Sequence, residues 1–178
     1  MNGRPATPRS LTGAERAQLD KLVHECGPRL LGYVRRMYAR RIDAEDIVAE
    51  TFCRAAANIE TLNGCERPDL YLLTIARNLC RDFLRRRRET PAGDSLPDQP
   101  AAARQPAQCF ASVEQQRAML EGVEALPEPQ REVVILRLST DMKFEEIAEL
   151  LQTPLGTVLS RMHSAVHRLK AHFGRDHE

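Results

Sequence analysis

A chain of 178 residues with 42% hydrophobic residues and a net charge of +1 has the make-up of an ordinary globular protein, one medium domain or two small ones. Disordered and membrane-spanning classes are excluded, because no run comes near the roughly 18 apolar residues that cross a bilayer. The opening MNGRPATPRSLTG also lacks the apolar stretch of a secretory signal, so the expected compartment is the cytoplasm, with no membrane insertion.

The small net charge hides a segregation. Residues 1–42 carry 9 bases and 3 acids, 43–66 carry 1 and 6, and 67–88 carry 7 and 2. Further on, 89–110 carry 1 and 3, 111–152 carry 4 and 9, and 153–178 carry 4 and 2. Separate basic and acidic surfaces suit a protein that touches nucleic acid on one side and a protein partner on another. The five cysteines, Cys26, Cys53, Cys65, Cys80 and Cys109, are odd in number and contain no CxxC pair, so neither a disulfide framework nor a zinc site is indicated. Cys53 and Cys80 fall on apolar helical faces and are expected to be buried, whereas Cys65 sits in a predicted loop and is the thiol to test for reactivity.

In chain order, residues 1–13 read as a disordered tail. A first helix follows from about Ala14 to Tyr38, interrupted at Gly27-Pro28, since proline removes a donor and clashes with the preceding turn. Asp43 starts the next helix, capping its free amides, while Glu45 and Asp46 favour the positive end of the dipole. Ile47, Phe52, Ala55, Ala56 and Ile59 form its buried side. Residues 61–67 read as a loop marked by Asn63-Gly64, and Pro68 suits the first turn of the helix beyond it.

That helix, LYLLTIARNLCRDFLRRRR over residues 70–88, is the most informative stretch of the chain. At 3.6 residues per turn Leu72, Leu73, Ala76, Leu79, Cys80 and Phe83 gather on one side, and Thr74, Arg77, Asn78, Arg81, Arg85 and Arg88 on the other. A solvated helix interleaves acids with bases, yet from Arg67 onward seven arginines face only Asp69 and Asp82, so an anionic partner is expected.

Residues 89–111 contain four prolines and no periodicity and read as a linker. Ser112 and Gln115 then form a possible capping box for a helix ending near Ala125, broken by Leu126-Pro127. Residues 128–138, 144–151 and 154–173 complete a second helical domain over 112–178, the first occupying 14–88. With no period-2 alternation bounded by hairpin turns, the fold class is all-α. FEEIAELL, the short turn Gln152-Thr153, and PLGTVLSRMHSAVHRLK have the spacing of a helix-turn-helix, with Thr153 as N-cap and Pro154 in the first turn. Leu155, Val158, Met162, Ala165, Val166 and Leu169 are expected to pack inward. Thr157, Ser160, Arg161, Ser164 and Arg168 then face outward, with groups suited to base edges and phosphates in a major groove.

Taken together, DAEDIVAETFCRA (43–55), YLLTIARNLCRDFLRRRR, LPEPQREVVILRL (126–138) and MKFEEIAELLQTPLGTVLSRMHSAVHRLK resemble the extracytoplasmic-function (ECF) group of bacterial sigma factors. The resemblance covers nearly the whole chain outside the tail and linker. It implies that Asp46, Glu50 and Phe52 meet the clamp helices of core RNA polymerase. It implies equally that Asn63, Arg67, Tyr71, Arg77, Asn78, Arg81 and Arg85 melt and hold the minus-10 promoter element. Thr157, Ser160, Arg161, Ser164 and Arg168 would read the minus-35 duplex, with their domain against the polymerase flap. The family further implies an anti-sigma partner, no cofactor, no metal, no catalysis and no obligate homo-oligomer.

The chain departs from the family pattern at Tyr71, usually tryptophan, at Ala49, usually glutamine, and at Leu159, usually lysine. Lys143 stands where a serine cap is common, so the helix at Phe144 is expected to start from Asp141 or to forgo a cap of ~1 kcal/mol. Two other readings stay open at this point: a sigma-like decoy that sequesters an anti-sigma factor, and a stand-alone helix-turn-helix regulator that leaves the first 88 residues without a role. No phosphate-cradling glycine loop or nucleophile motif supports an enzyme. His163 and His167, four apart on one helix, lack a third ligand type to complete a metal set.

Overall fold

The computed structural model describes residues 11–38, 42–89, 113–140 and 142–173, all helices and short connections with no strand among them. The chain divides into two compact units, Met1–Gln99 and Pro100–Glu178. Residues 1–10 of the segment read as tail and 90–111 of the segment read as linker, together with Ser112 and Asp141, lie outside the described residues, as do the side chains of Arg88 and of residues 113–118. The tail is shorter than expected, because Thr12 and Gly13 belong to the start of the first helix, and Glu89 belongs to the helix before the linker.

In the first unit α1 (Gly13–Tyr38), α2 (Ala44–Ala57) and α4 (Pro68–Glu89) each pack against the other two, and the short α3 (Ile59–Asn63) bridges α2 and α4. Thr12 opens α1 with a reciprocal cap. Its hydroxyl accepts from the Glu15 N–H at 3.3 Å, and the Glu15 carboxylate accepts from the Thr12 N–H at 2.7 Å. The expected interruption at Gly27-Pro28 is absent, and α1 runs through Pro28. Proline forgoes one backbone bond, but Cys26, Leu30, Tyr33 and Val34 are buried on both sides of it, so core packing outweighs the local loss of ~3 kcal/mol. Gly27 lies beside the Phe52 ring, where a Cβ would stand 4.0 Å from Cε2, an ordinary contact distance.

Asp43 caps α2 as expected, its carboxylate accepting from the Glu45 and Asp46 amides at 2.9 and 3.2 Å. The predicted loop over 61–67 is shorter than expected, because α3 carries the helix to Asn63. Burial of Ile59 and Leu62 holds this single turn, which is too short to leave a periodic signature. On α4 the apolar face behaves as expected from Leu72 to Cys80, and then stops. Phe83, expected in the core, is 41% exposed, because the buried part of α4 ends one turn before it. Cys53, also expected inside, lies on the exposed side of α2, while Cys26 and Cys80 are buried.

The second unit holds α5 (Val113–Glu124), α6 (Glu128–Thr140), α7 (Phe144–Leu151) and α8 (Leu155–Phe173). The run 132–136 of α6 is buried on every side, which makes α6 its central helix, in contact with α7 and α8. The Pro127 carbonyl receives the Gln130 and Arg131 amides at 2.9 Å each and so starts α6 immediately after the break. Leu126, Val134 and Ala165 form a small core with Val123, Met162 and Leu169 at its edge. α5 lies close on α8 at Gly122, where a Cβ would stand 3.1 Å from His172 Cδ2 and 3.2 Å from Leu169 Cδ2.

Two expectations for this unit are corrected. Leu155 and Val166 are exposed, because α8 buries only the narrow line through Val158 and Ala165. Thr153 does not cap α8: its hydroxyl donates back to the Leu151 carbonyl at 3.1 Å, and the Pro154 carbonyl takes the Thr157 and Val158 amides. α7 begins at Phe144 with no side-chain cap from Lys143, whose amide instead donates to the Glu146 carboxylate at 2.7 Å.

Candidate nucleic-acid interface

The outward side of α4 is a straight stripe. Tyr71, Thr74, Asn78, Arg81 and Arg85 recur at intervals of three and four, and Arg77 flanks them, half-buried. Asp82 reaches Arg85 at 3.2 Å, an exposed pair worth at most ~1 kcal/mol that leaves the arginine excess on this helix in place. Arg77, Arg86 and Arg87 also interact within the chain. Arg67 is set apart from the stripe. Its guanidinium grips Asp69 through two bonds, at 3.1 and 2.8 Å, and this hydrogen-bonded pairing holds the Asp69 carboxyl below its usual range.

Tyr71 is half-buried, and desolvation, reinforced by the nearby Cys65, pushes its phenol above the usual value. Cys65 is half-buried too, with its thiol donating to the Thr61 carbonyl at 3.1 Å. Asn63 is exposed at the end of α3 and does not join the stripe. Stacked aromatic and basic groups along a groove are the elements with which single-stranded nucleic acid is held.

A second surface lies on α2. Asp46 and Glu50 are exposed one turn apart, with Ala49 and Cys53 on the same face, and Glu50 accepts from Arg54 Nε at 2.8 Å. Arg35 of α1 pairs with Glu45 at the edge of this face. Phe52, expected here as a contact residue, is corrected: at 8% exposed it belongs to the core between α1 and α2. The period of α2 points it inward, and the sequence signal for that burial was already present in the Ile47, Phe52, Ala55 pattern.

In the second unit α7 and α8 are joined by two tight steps. Gln152 adopts the left-handed conformation (φ 51, ψ 46), and the Thr153 amide returns to the Ala148 carbonyl at 3.0 Å, which closes α7 and turns the chain. On α8, Thr157, Ser160 and Arg168 are exposed, and Arg161 and Ser164 are partly covered beside them. Together they occupy one flank of the outward face. The other flank carries Gly156, Leu159 and His163. From Thr153 to Arg175 the sequence has no acidic residue, so this helix meets an anion without opposition.

Among the described residues no group of three or more His, Cys, Asp or Glu could hold a metal ion, and no helix is long and apolar enough to cross a membrane. Comparison with known proteins agrees with the two-unit layout. The family model of sigma-70 region 2 matches residues 22–90, and that of sigma-70 region 4 matches residues 116–169. The ECF RNA polymerase sigma factor EcfG of Rhodopseudomonas palustris (strain TIE-1) is 34% identical, over 72% of this chain and 70% of its own length. The RNA polymerase sigma factor CarQ of Myxococcus xanthus is 30% identical, over 91% of this chain and 92% of its own. Among solved structures, the sigma factor RpoE in complex with the anti-sigma factor NepR from Bartonella quintana superposes with a TM-score of 0.73 at 25% identity. That match covers 88% of this chain and 97% of the other. With both regions present in order, the chain belongs to the ECF group of the sigma-70 family of RNA polymerase sigma factors.

Proposed function

We propose that this sigma factor carries core RNA polymerase to its promoters through three surfaces. The exposed acidic face of α2, with Asp46 and Glu50, docks on the polymerase clamp helices. The α4 stripe of Tyr71, Asn78, Arg81 and Arg85, flanked by Arg77, holds the non-template strand of the minus-10 element, and Arg67 and Asn63 border it. The outer face of α8 enters the major groove of the minus-35 duplex with Thr157, Ser160, Arg161, Ser164 and Arg168, while its unit rests on the polymerase flap. The protein works in the cytoplasm by binding alone, without catalysis or cofactor, and an anti-sigma factor restrains it.

The observation that carries this reading is the pair of basic, outward helical faces in separate units. One is a stripe with an aromatic residue suited to single strands, and the other is the second helix of a helix-turn-helix suited to duplex. The test is run-off transcription with purified core polymerase over a promoter library. The sigma factor is expected to start transcription at a promoter that core alone ignores, and reversing charge at Arg77 and Arg81 is expected to abolish strand opening. A protein that never confers promoter selectivity, or whose double reversal leaves opening intact, contradicts the proposal.

A further inference from the structure

On the flank of α8 opposite Thr157 and Arg168, Leu159 stands 44% exposed on the fifth residue of the helix. A lone exposed leucine is commonplace on a protein surface. This one lies in the N-terminal half of the second helix of a helix-turn-helix, the part that approaches base edges when such a helix enters a major groove. One turn earlier on the same side is Gly156. Its backbone is not in the left-handed region, and a Cβ there would meet nothing within 4 Å, so neither conformation nor packing inside the protein calls for glycine. A glycine inside a helix costs up to about 1 kcal/mol against alanine, and what it leaves here is open space beside an apolar side chain.

Arg161, Arg168 and Lys170 share this helix with no carboxylate in its sequence, so the partner its charge suits is an anion. An anionic surface that also offers an apolar knob is a specific chemistry. Of the four bases, only thymine projects an apolar group, its C5-methyl, into the major groove. We propose that Leu159 is a specificity-determining residue of the minus-35 contact, and that it selects thymine by packing on the 5-methyl group in the open space beside Gly156. The inference rests on the promoter reading of α8 given above and adds to it the base that this position prefers.

The experiment uses holoenzyme, assembled from the full chain and core polymerase, on duplexes selected from a library randomised upstream of a fixed minus-10 element. Each thymine of the selected upstream element is replaced in turn by uracil, which removes the methyl group and nothing else, and affinity is measured at one salt concentration. One thymine is expected at which uracil weakens wild-type holoenzyme about fourfold, the factor for burying one methyl-sized group. Leu159→Ala is expected to lose about the same factor on the thymine duplex and to be indifferent to uracil, while Leu159→Met keeps the preference. Val166→Ala, an exposed apolar residue two turns further along α8, is expected to change nothing. Selective upstream binding with no methyl-sensitive thymine, or a uracil effect of equal size in Leu159→Ala, overturns the inference and leaves the minus-35 reading standing. An equal loss from Val166→Ala also overturns it, because the apolar flank then faces a protein. Absence of any upstream sequence preference overturns the reading beneath it as well.

Discussion

Replacing Asp43 by alanine isolates a single structural device, because the side chain is exposed and its removal leaves no cavity. Its carboxylate accepts from two amides of the first turn of α2, at 2.9 and 3.2 Å. Loss of an N-cap of this kind costs about 1 kcal/mol, within a range of roughly 0.5–2, and the lost charge at the positive end of the helix adds about 0.3–1 kcal/mol. Asp43→Asn keeps the acceptor and loses only the charge, so its cost is expected to be about a quarter to a half that of alanine. The protein supplies its own reporter. It has no tryptophan and three tyrosines, Tyr33, Tyr38 and Tyr71, all in the first unit, and Tyr33 and Tyr38 are buried edge-to-face with ring centres 6.4 Å apart. Tyrosine fluorescence therefore follows unfolding of the first unit alone. For a domain of that size about 1 kcal/mol corresponds to a fall in Tm of ~4–8 °C, with an unchanged urea m-value. Curves for Asp43→Ala that overlay the wild type, or an Asp43→Asn variant as damaged as the alanine one, refute the assignment of the cap.

Asp69 makes the first unit sensitive to acid in a predictable direction. Arg67 holds its folded pKa below the ordinary 3.8, so the pair stabilises the fold above that value, and the contribution disappears as pH falls through the lower folded pKa. Urea midpoints of wild type and Asp69→Asn, followed by tyrosine fluorescence, should differ modestly near neutrality, given the exposure of the pair, and converge below 3.8; a constant gap contradicts the assignment. Cys53 offers a footprint of the polymerase contact, since it shares the exposed face of α2 with Asp46 and Glu50. A maleimide should label it in the free protein and be excluded when core polymerase is bound, with Cys53→Ser as control, and equal labelling in both states places the polymerase elsewhere.

The parts of this protein that its sequence determined are those governed by nearest neighbours on one helix. The Asp43 cap, the start of α4 at Pro68, the bounds of α7 and the stripe of Asn78, Arg81 and Arg85 each follow from spacing, propensity or capping chemistry within a few residues. Tertiary structure decided where a face stops being covered. Periodicity shows that Leu72, Cys80 and Phe83 share a side, but the length of buried contact along α4 decides that the first two are core and the third meets solvent. The same limit separates Val158 and Ala165, which are buried, from Leu155 and Val166, which are not. It explains Cys53, expected inside and found outside, while its neighbour Phe52 lies inside as the apolar pattern of α2 indicates. Pro28 shows the converse, a local breaker kept helical because buried side chains before and after it belong to one continuous core. Burial is a property of two surfaces at once, and a single strand of sequence spells out only one of them.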